Sequence, residues 1–453
     1  MKILEVTHGF PPYQTGGTEN CTYLLSKTLA KNKDSTVYVF SGGLPSYYSL
    51  EFKDEVINGI YLRRIHSVSL SLFKKRFPNV EVSTYKNTYM EKLFEDYLDK
   101  IQPDIVHFQH TIGLSASIIH IALERNLKPI VTIRDFWYLC PRIQLLTFNE
   151  DVCQGPEYGL NCYFCRSRVD YKMRTLPFYK KVRNFVPIKI PFFMKSYLKD
   201  KVVTKGYRDS VELNKNILPF FMRYYYMMET LKTVSIISPS HFLKSFYVEK
   251  TGIIPSNIKV IPHGIIPFDI KKRVKSKKNP IYFGFTGVPD KHKGSHLLLE
   301  VFNKISPDDG KLVIWGRGWE KISKQINSSK NIIIKGEYSP ENIGEVYSSF
   351  DILIIPSIWG ETFSFVAHEA FSAKIPVIAA NIGVFNEIIQ DGKNGLLFKV
   401  NNTNSLYNCI MKIIKEPSLI NKFSENIKKP KTWNEYVKEL SYLYNEILGN
   451  GRQ

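Results

Sequence analysis

Two glutamates, Glu361 and Glu369, stand eight residues apart in WGETFSFVAHEAF. At about 3.6 residues per helical turn this is about 2.2 turns, an offset of about 80°, so the carboxylates do not share one stripe. With a helix expected to open near Thr362, each can hydrogen-bond a different part of an extended ligand, such as the hydroxyls of two sugars. Paired carboxylates also serve glycoside hydrolysis, but that chemistry needs both carboxyls beside one bond. Alone, the pair reads equally well as two solvated helix glutamates.

Two glycine turns can supply the opposite charge. In FGFTGVPDKHKGSH, Gly287 permits a turn, Lys291 and Lys293 can neutralise a diphosphate, and Gly294 opens a helix. The motif is not GxxxxGK[ST], and its plainer reading is a basic surface loop. Near the start, KILEVTH runs into GFPPYQTGGTEN. There Gly16 and Gly17 let a ligand approach the backbone at a helix N-terminus, whose N–H groups and dipole suit a diphosphate. This is not GxGxxG, so a nicotinamide-type site is not indicated.

Strand ends bring further groups. DIVHFQH sets His107 inside a strand, as a buried structural histidine, and His110 just past its end. His110 can donate to a phosphate or a sugar hydroxyl. VTIRD ends another strand with Arg134 and Asp135, both expected at the cleft edge, Asp135 equally readable as a helix cap. Cys140, Cys153, Cys162 and Cys165 crowd together. Four such thiolates can hold a structural zinc, an iron–sulfur cluster being a weaker alternative. Only Cys162-x2-Cys165 has a standard spacing, and four independent buried thiols is the other reading.

The elements that must position these groups alternate. Short apolar runs (KILEVTH, TVYVF, DIVHFQH, PIVTIRD) are separated by amphipathic segments, which predicts parallel sheets covered by helices on both faces. The alternation breaks at KKRVKSKKN, residues 271–279, and restarts with IYFGFTG, KLVIWGRG, NIIIKGE, DILIIPS and IPVIAAN. The expected organisation is a first domain over 1–270, a linker over 271–279, a second domain over 280–430, and a helix over 431–453 that packs back on one of them. Ligands of open α/β sheets sit at the carboxyl ends of the strands, so two such domains make a cleft between those ends.

Composition bounds the partners. The chain of 453 residues carries 62 Lys and Arg against 42 Asp and Glu, a formal charge of +20. A hydrophobic content of 43% excludes a disordered chain. The first domain holds the cysteine cluster (140–165) and a stretch, 166–232, with 16 Lys and Arg against five Asp and Glu, a net +11, among aromatics such as Phe192, Tyr197 and Tyr225. A basic, aromatic helical insert suits an anionic membrane surface. Nucleic acid would ask for the same composition, but no binding module accompanies it. No basic-then-apolar leader follows Met1, and no run approaches the ~18–20 apolar residues of a membrane span. Six cysteines are too few for a disulfide scaffold. A cytoplasmic protein, peripheral on the inner face of a membrane, is expected.

The ordered set GGTE, VHFQH, SPSHF, VIPHG, FTGVPDKHKG, PSIWGETFSFVAHEAFSAKIPVIAANIGVFNEII and DGKNGLLF resembles the retaining nucleotide-sugar glycosyltransferases of family 4. RDFWYLCPR is similar to a subset of them with cysteines after an HDFW-like strand end. The resemblance implies the GT-B fold, two Rossmann-like domains facing a cleft. It implies that Gly16 and Gly17 bind the donor phosphate edge, that His110 lies near the transferred sugar, and that Lys293 holds the diphosphate. Glu361 would contact the donor sugar and Glu369 the ribose. The chain departs from the pattern at Val288, where many members have arginine, and at Arg134, where histidine is common, so that Lys291 and Lys293 take more of the phosphate charge and Arg134 can clamp phosphate or acceptor. Lys374 and Val384 replace usual glycines.

The expected function is transfer of a sugar from a nucleoside-diphosphate sugar to a hydroxyl of a glycan or lipid-linked acceptor, in surface polysaccharide biosynthesis. No metal is required for catalysis in this family, and no D-x-D triplet occurs here. The alternatives are a zinc-stabilised nucleic-acid-binding protein and an inactive nucleotide- or glycan-binding module.

Overall fold

The computed structural model of the chain describes residues 1–44, 51–66, 80–166, 208–270, 280–321 and 330–449. The basic linker 271–279 and residues 167–207 of the basic insert lie outside the described residues.

Eight strands form the first sheet: β1 (Lys2–Thr7), β2 (Thr36–Ser41), β3 (Phe52–Ile57), β4 (Ile60–Ile65), β5 (Ile105–Phe108), β6 (Ile130–Thr132), β7 (Ser235–Ser238) and β8 (Ile258–Val260), in the order 3-4-2-1-5-6-7-8. Only the β3–β4 hairpin is antiparallel. Six strands form the second sheet: β9 (Ile281–Thr286), β10 (Gly310–Trp315), β11 (Ile332–Gly336), β12 (Ile352–Ile355), β13 (Val377–Ala380) and β14 (Gly395–Phe398), in the order 11-10-9-12-13-14. All its pairs are parallel. This is the doubly wound Rossmann order, and the GT-B arrangement of two such domains is the architecture of the chain.

Period-2 alternation explains why these runs make buried central strands. In β1, Leu4 and Val6 enter the core on one face while Ile3 enters the core on the other. In β12, Ile352 and Ile354 face one core and Leu353 and Ile355 the other. Both faces are apolar because helices cover both. The order of each sheet reverses at one point, between β1 and β5 and between β9 and β12. The loops leaving those four strands therefore have no crossover helix between them, and a crevice opens where ligands bind.

The C-terminal helix Trp433–Ile447 starts at a capping box, Thr432 with Glu435. Its buried residues, Trp433, Tyr436, Val437, Leu440 and Tyr444, follow helical spacing and join the first domain's core with Ile3, Val37 and Ile105. Ile265 pairs with Thr432 where the chain crosses between the domains. Among the described residues, no helix is long and apolar enough to cross a membrane.

Candidate active site

The loops that leave β9 and β12 are stitched together. The N–H of Ile358 donates to the His292 carbonyl at 3.0 Å. Gly294 lies so close to the end of β12 that a Cβ there would sit 1.9 Å from the Pro356 carbonyl oxygen, and its φ is +73°. Only glycine fits both conditions. This packing delivers Lys293 to Glu361: Nζ donates to Oε1 at 2.7 Å. Ser357 Oγ, at 3.0 Å, and Trp359 Nε1, at 3.1 Å, donate to the same oxygen. Lys293 also lies over the Trp359 ring, 5.3 Å from its centroid. Three donors on one carboxylate oxygen fix a buried Glu361 in a single orientation.

Glu361 is not helical. The helix begins at Phe365, after Ser364 at φ +63°, so the expected start near Thr362 is corrected by three residues. Glu361 belongs to the loop after β12, and the helical offset between the two glutamates does not apply. Glu369, on the helix, is half-buried and accepts from Tyr347 Oη at 2.7 Å. Burial raises its carboxyl above the usual range, with the tyrosine bond opposing.

On the facing domain, His110 Nε2 donates to Asp135 Oδ2 at 3.1 Å, and His110 Nδ1 accepts the N–H of Ile112 at 3.1 Å. Asp135 Oδ1 accepts the N–H of Trp137 at 2.8 Å, so the aspartate both caps a turn and faces the histidine. Burial would raise its carboxyl, but the His110 ring and the Trp137 N–H outweigh this and hold it below the usual range. Gly16 is the N-cap of the helix Gly17–Leu29, and nothing lies within 4 Å of where a Cβ at Gly17 would sit. The Glu19 carboxylate sits at the same helix start, where a Cβ at Gly16 would come within 2.6 Å of it.

One of the contacts between the two halves runs through Thr362. Thr362 Oγ1 donates to the Arg134 carbonyl at 2.6 Å, and Ser240 Oγ donates to the Thr362 carbonyl at 2.6 Å. Glu361 and Asp135 are the chain neighbours of this bonded pair, so the geometry brings His110–Asp135 and Lys293–Glu361 to the same seam. Nearby, Glu387 reaches across the interface and accepts the N–H groups of His241 and Phe242, at 3.2 and 2.8 Å, capping the helix His241–Thr251.

Other expected residues go elsewhere. Arg134 does not reach the cleft edge as a clamp. Period-2 alternation after β6 turns it opposite to Asp135, and its buried guanidinium donates to Gln109 and meets His263 Nε2 at 3.2 Å. Lys291 ion-pairs with Glu150 of the first domain at 2.8 Å, both side chains well exposed, so Lys293 alone meets Glu361. Gly287 follows β9, its carbonyl accepting from Trp319 Nε1 at 2.7 Å. His107 is fully buried between Tyr444 Oη and Thr132 Oγ1, each at 2.7 Å, and burial lowers its pKa to about 3. No disulfide joins Cys140, Cys153, Cys162 and Cys165. Among the described residues, no three His, Cys, Asp or Glu side chains are grouped to hold a metal, these four cysteines included. Burial pushes the Cys140 thiol up to about 11.

Sequence reasoning missed His8 and Glu19. His8 follows β1 and its Nε2 lies 3.1 Å from Glu19 Oε1, with the His8 and His110 ring centroids 4.6 Å apart. The signal was present: a histidine directly after a strand at a switch point, and a glutamate in the first turn after Gly16–Gly17.

Residues 268–430 match the family described as glycosyl transferases group 1. The second domain is similar to this family over its whole described length. An uncharacterized glycosyltransferase of Methanocaldococcus jannaschii is 28% identical over 231 residues, half of this chain and 63% of that one. The lipopolysaccharide 1,2-N-acetylglucosaminetransferase of Salmonella typhimurium is 30% identical over 182 residues, 35% of this chain and 47% of that one. The chain thus spans less than two thirds of the length of either relative. Anabaena HepE, solved in complex with UDP, superposes with a TM-score of 0.61 over 98% of this chain and all of that one, at 14% identity. At that identity the likeness establishes the fold. In the matched region lie Gly287, Lys291, Lys293, Glu361 and Glu369, while Gly16, Gly17, His110 and Asp135 belong to the first domain.

Proposed function

We propose that the chain transfers a sugar from a nucleoside-diphosphate sugar to a hydroxyl of a glycan or lipid-linked acceptor, with retention and without a catalytic metal, in the building of a bacterial surface polysaccharide. The observation that carries this reading is the seam at Thr362, which seats the Lys293–Glu361 pair beside His110–Asp135. In this reading Lys293 and the helix N-terminus at Gly16–Gly17 stabilise the charge on the departing diphosphate. Glu361, held by three donors on one oxygen, presents its carboxylate to donor-sugar hydroxyls. Glu369 receives the ribose, and the leaving phosphate accepts the acceptor's proton. The UDP in the Anabaena HepE structure supports a nucleotide donor. The +11 stretch at 166–232 supports a peripheral site on an anionic inner membrane face, where a lipid-linked acceptor is presented.

A thermal-shift panel of nucleoside diphosphates and their sugars tests the donor, because stabilisation grows with the logarithm of ligand over its dissociation constant. A shift with one diphosphate and its sugar is expected. A silent panel with tight RNA or DNA binding would favour the nucleic-acid alternative. Donor binding without turnover across a range of acceptors would favour the inactive module.

A further inference from the structure

Two histidine–carboxylate pairs lie side by side in the first domain, and their ring nitrogens are not equally occupied. In His110–Asp135, Nε2 faces the carboxylate and Nδ1 accepts the Ile112 N–H, so both nitrogens are taken within the protein. In His8–Glu19, Nε2 faces the carboxylate at 3.1 Å, which assigns the proton to Nε2 and leaves Nδ1 as a lone-pair acceptor. That Nδ1 is buried and has no hydrogen-bond partner among the described residues. Burial lowers the His8 pKa against the opposing pull of Glu19, so the imidazole is neutral near pH 7 and the lone pair stays available.

Buried polar atoms are almost always paired, and each exception asks for a reason. Thr7 Oγ1 and Gln14 Oε1, in the same segment, are also unpaired. Thr7 is fully buried in the fold. Gln14 Oε1 is wedged against Gly9 and Gly43, where added Cβ atoms would come within 1.9 and 2.6 Å of it. The His8 side chain, 23% exposed, borders the cleft beside His110. Its Nδ1 lacks a donor and is itself covered by protein atoms, so a ligand hydroxyl that supplies one must displace them.

We infer that His8 Nδ1 is a binding site for a sugar hydroxyl, which donates its hydrogen bond there, and that Glu19 is the positioning residue that holds the required tautomer. The inference rests on the transferase reading above. The hydroxyl comes either from the sugar being transferred or from the acceptor, and the two sources separate experimentally. His110, whose nitrogens are both engaged, supports the wall against which the His8 ring is held.

The test compares wild type with His8→Phe, which keeps the ring and removes both nitrogens, and His8→Asn, whose amide oxygen replaces Nδ1. Each is titrated with UDP-glucose, GDP-mannose and their parent diphosphates, and turnover is measured with whichever sugar binds. His8→Phe is expected to weaken binding of the sugar nucleotide, but not of the diphosphate, by about five- to tenfold if the hydroxyl is the donor's. If it is the acceptor's, the same factor appears in the acceptor KM. His8→Asn recovers most of the loss. In 15N spectra of the wild type, the His8 Nδ1 signal shows an unprotonated nitrogen that moves when the sugar binds, and Glu19→Gln shifts the tautomer. A wild type that binds none of these nucleotides would overturn the transferase reading and this inference with it. A wild type that binds, with a folded His8→Phe that binds and turns over equally, would overturn the inference alone.

Discussion

Thr362 donates its hydroxyl hydrogen to the carbonyl oxygen of Arg134 at 2.6 Å, across the interface of two domains that share no strand. Its own carbonyl accepts from Ser240 at 2.6 Å. The residue is thus held from both ends, and both its partners sit in the first domain. Because Glu361 precedes Thr362 and Asp135 follows Arg134, this one contact sets where the second domain's carboxylate stands relative to the first domain's His110–Asp135 pair. The Trp359 ring, packed against the first domain's core, braces the same loop.

Thr362→Val keeps the shape and removes the hydroxyl. Losing it leaves a buried carbonyl without this donor, at a cost of about 1–3 kcal/mol, while neither domain core is touched. The expected result is a loss of about ten- to a hundredfold in kcat/KM, since small misplacements of catalytic groups are costly, with a modest fall in Tm. Wild-type turnover in this variant would show that the bond positions nothing the reaction needs.

Lys293→Met and Glu361→Gln each break the ion pair at the seam. Each single change is expected to lower kcat/KM by about a hundredfold or more, the scale of a lost charge-stabilising group. The double variant should be little worse than either, because the two act as a unit. Fully additive losses in the kinetic cycle would separate their roles.

Legibility in the sequence followed locality. The two parallel sheets were readable because each strand is a contiguous apolar run between helical segments. Lys293 and Glu361 were readable because each sits in a short loop directly after a strand. Arg134 and Lys291 were not, since their partners, Gln109, His263 and Glu150, come from other elements and only folding decides which charge each meets. The helix begins three residues after Thr362, whose hydroxyl is spent on the Arg134 carbonyl of the other domain, a contact that only folding makes. His8 was not legible because its partner Glu19 lies beyond the glycine turn and only folding brings the two together.

Glu5 makes stability depend on pH. It is fully buried in β1, accepts from Gln109 Nε2 at 2.7 Å and Tyr444 Oη at 3.1 Å, and burial pushes its carboxyl up to about 7 from 4.5, against those two bonds. Between these values the folded chain keeps a proton that the unfolded chain has released. Its contribution to stability is therefore full below about pH 4.5, falls as pH rises through this window, and levels off above about 7. Glu5→Gln keeps the hydrogen bonds if its amide donates to Tyr444, which then donates to His107. The Tm of this variant relative to wild type should rise between pH 5 and 7 and stay flat beyond, as read by melts at fixed ionic strength. A constant difference across that range would place the titration elsewhere.

Gly383 offers the sharpest test of how the Glu361 loop is held. Its φ is +65°, and a Cβ there would sit 2.6 Å from the Glu361 carbonyl oxygen and 2.7 Å from its nitrogen. The N–H of the next residue, Val384, donates to that same carbonyl at 2.8 Å, so the loop cannot retreat without losing this bond. Gly383→Ala must therefore strain its own backbone or move Glu361, in a part of the domain whose core packing is otherwise unchanged. The expected outcome is a folded protein, destabilised by about 1–3 kcal/mol, with transfer lowered at least a hundredfold and binding of the free nucleoside diphosphate largely kept. In the proposed reading the diphosphate rests on Lys293, which pairs with Glu361, and on the Gly16–Gly17 helix end, which lies in the other domain and keeps its hold, so calorimetry with diphosphate and sugar nucleotide side by side separates a displaced carboxylate from a collapsed site.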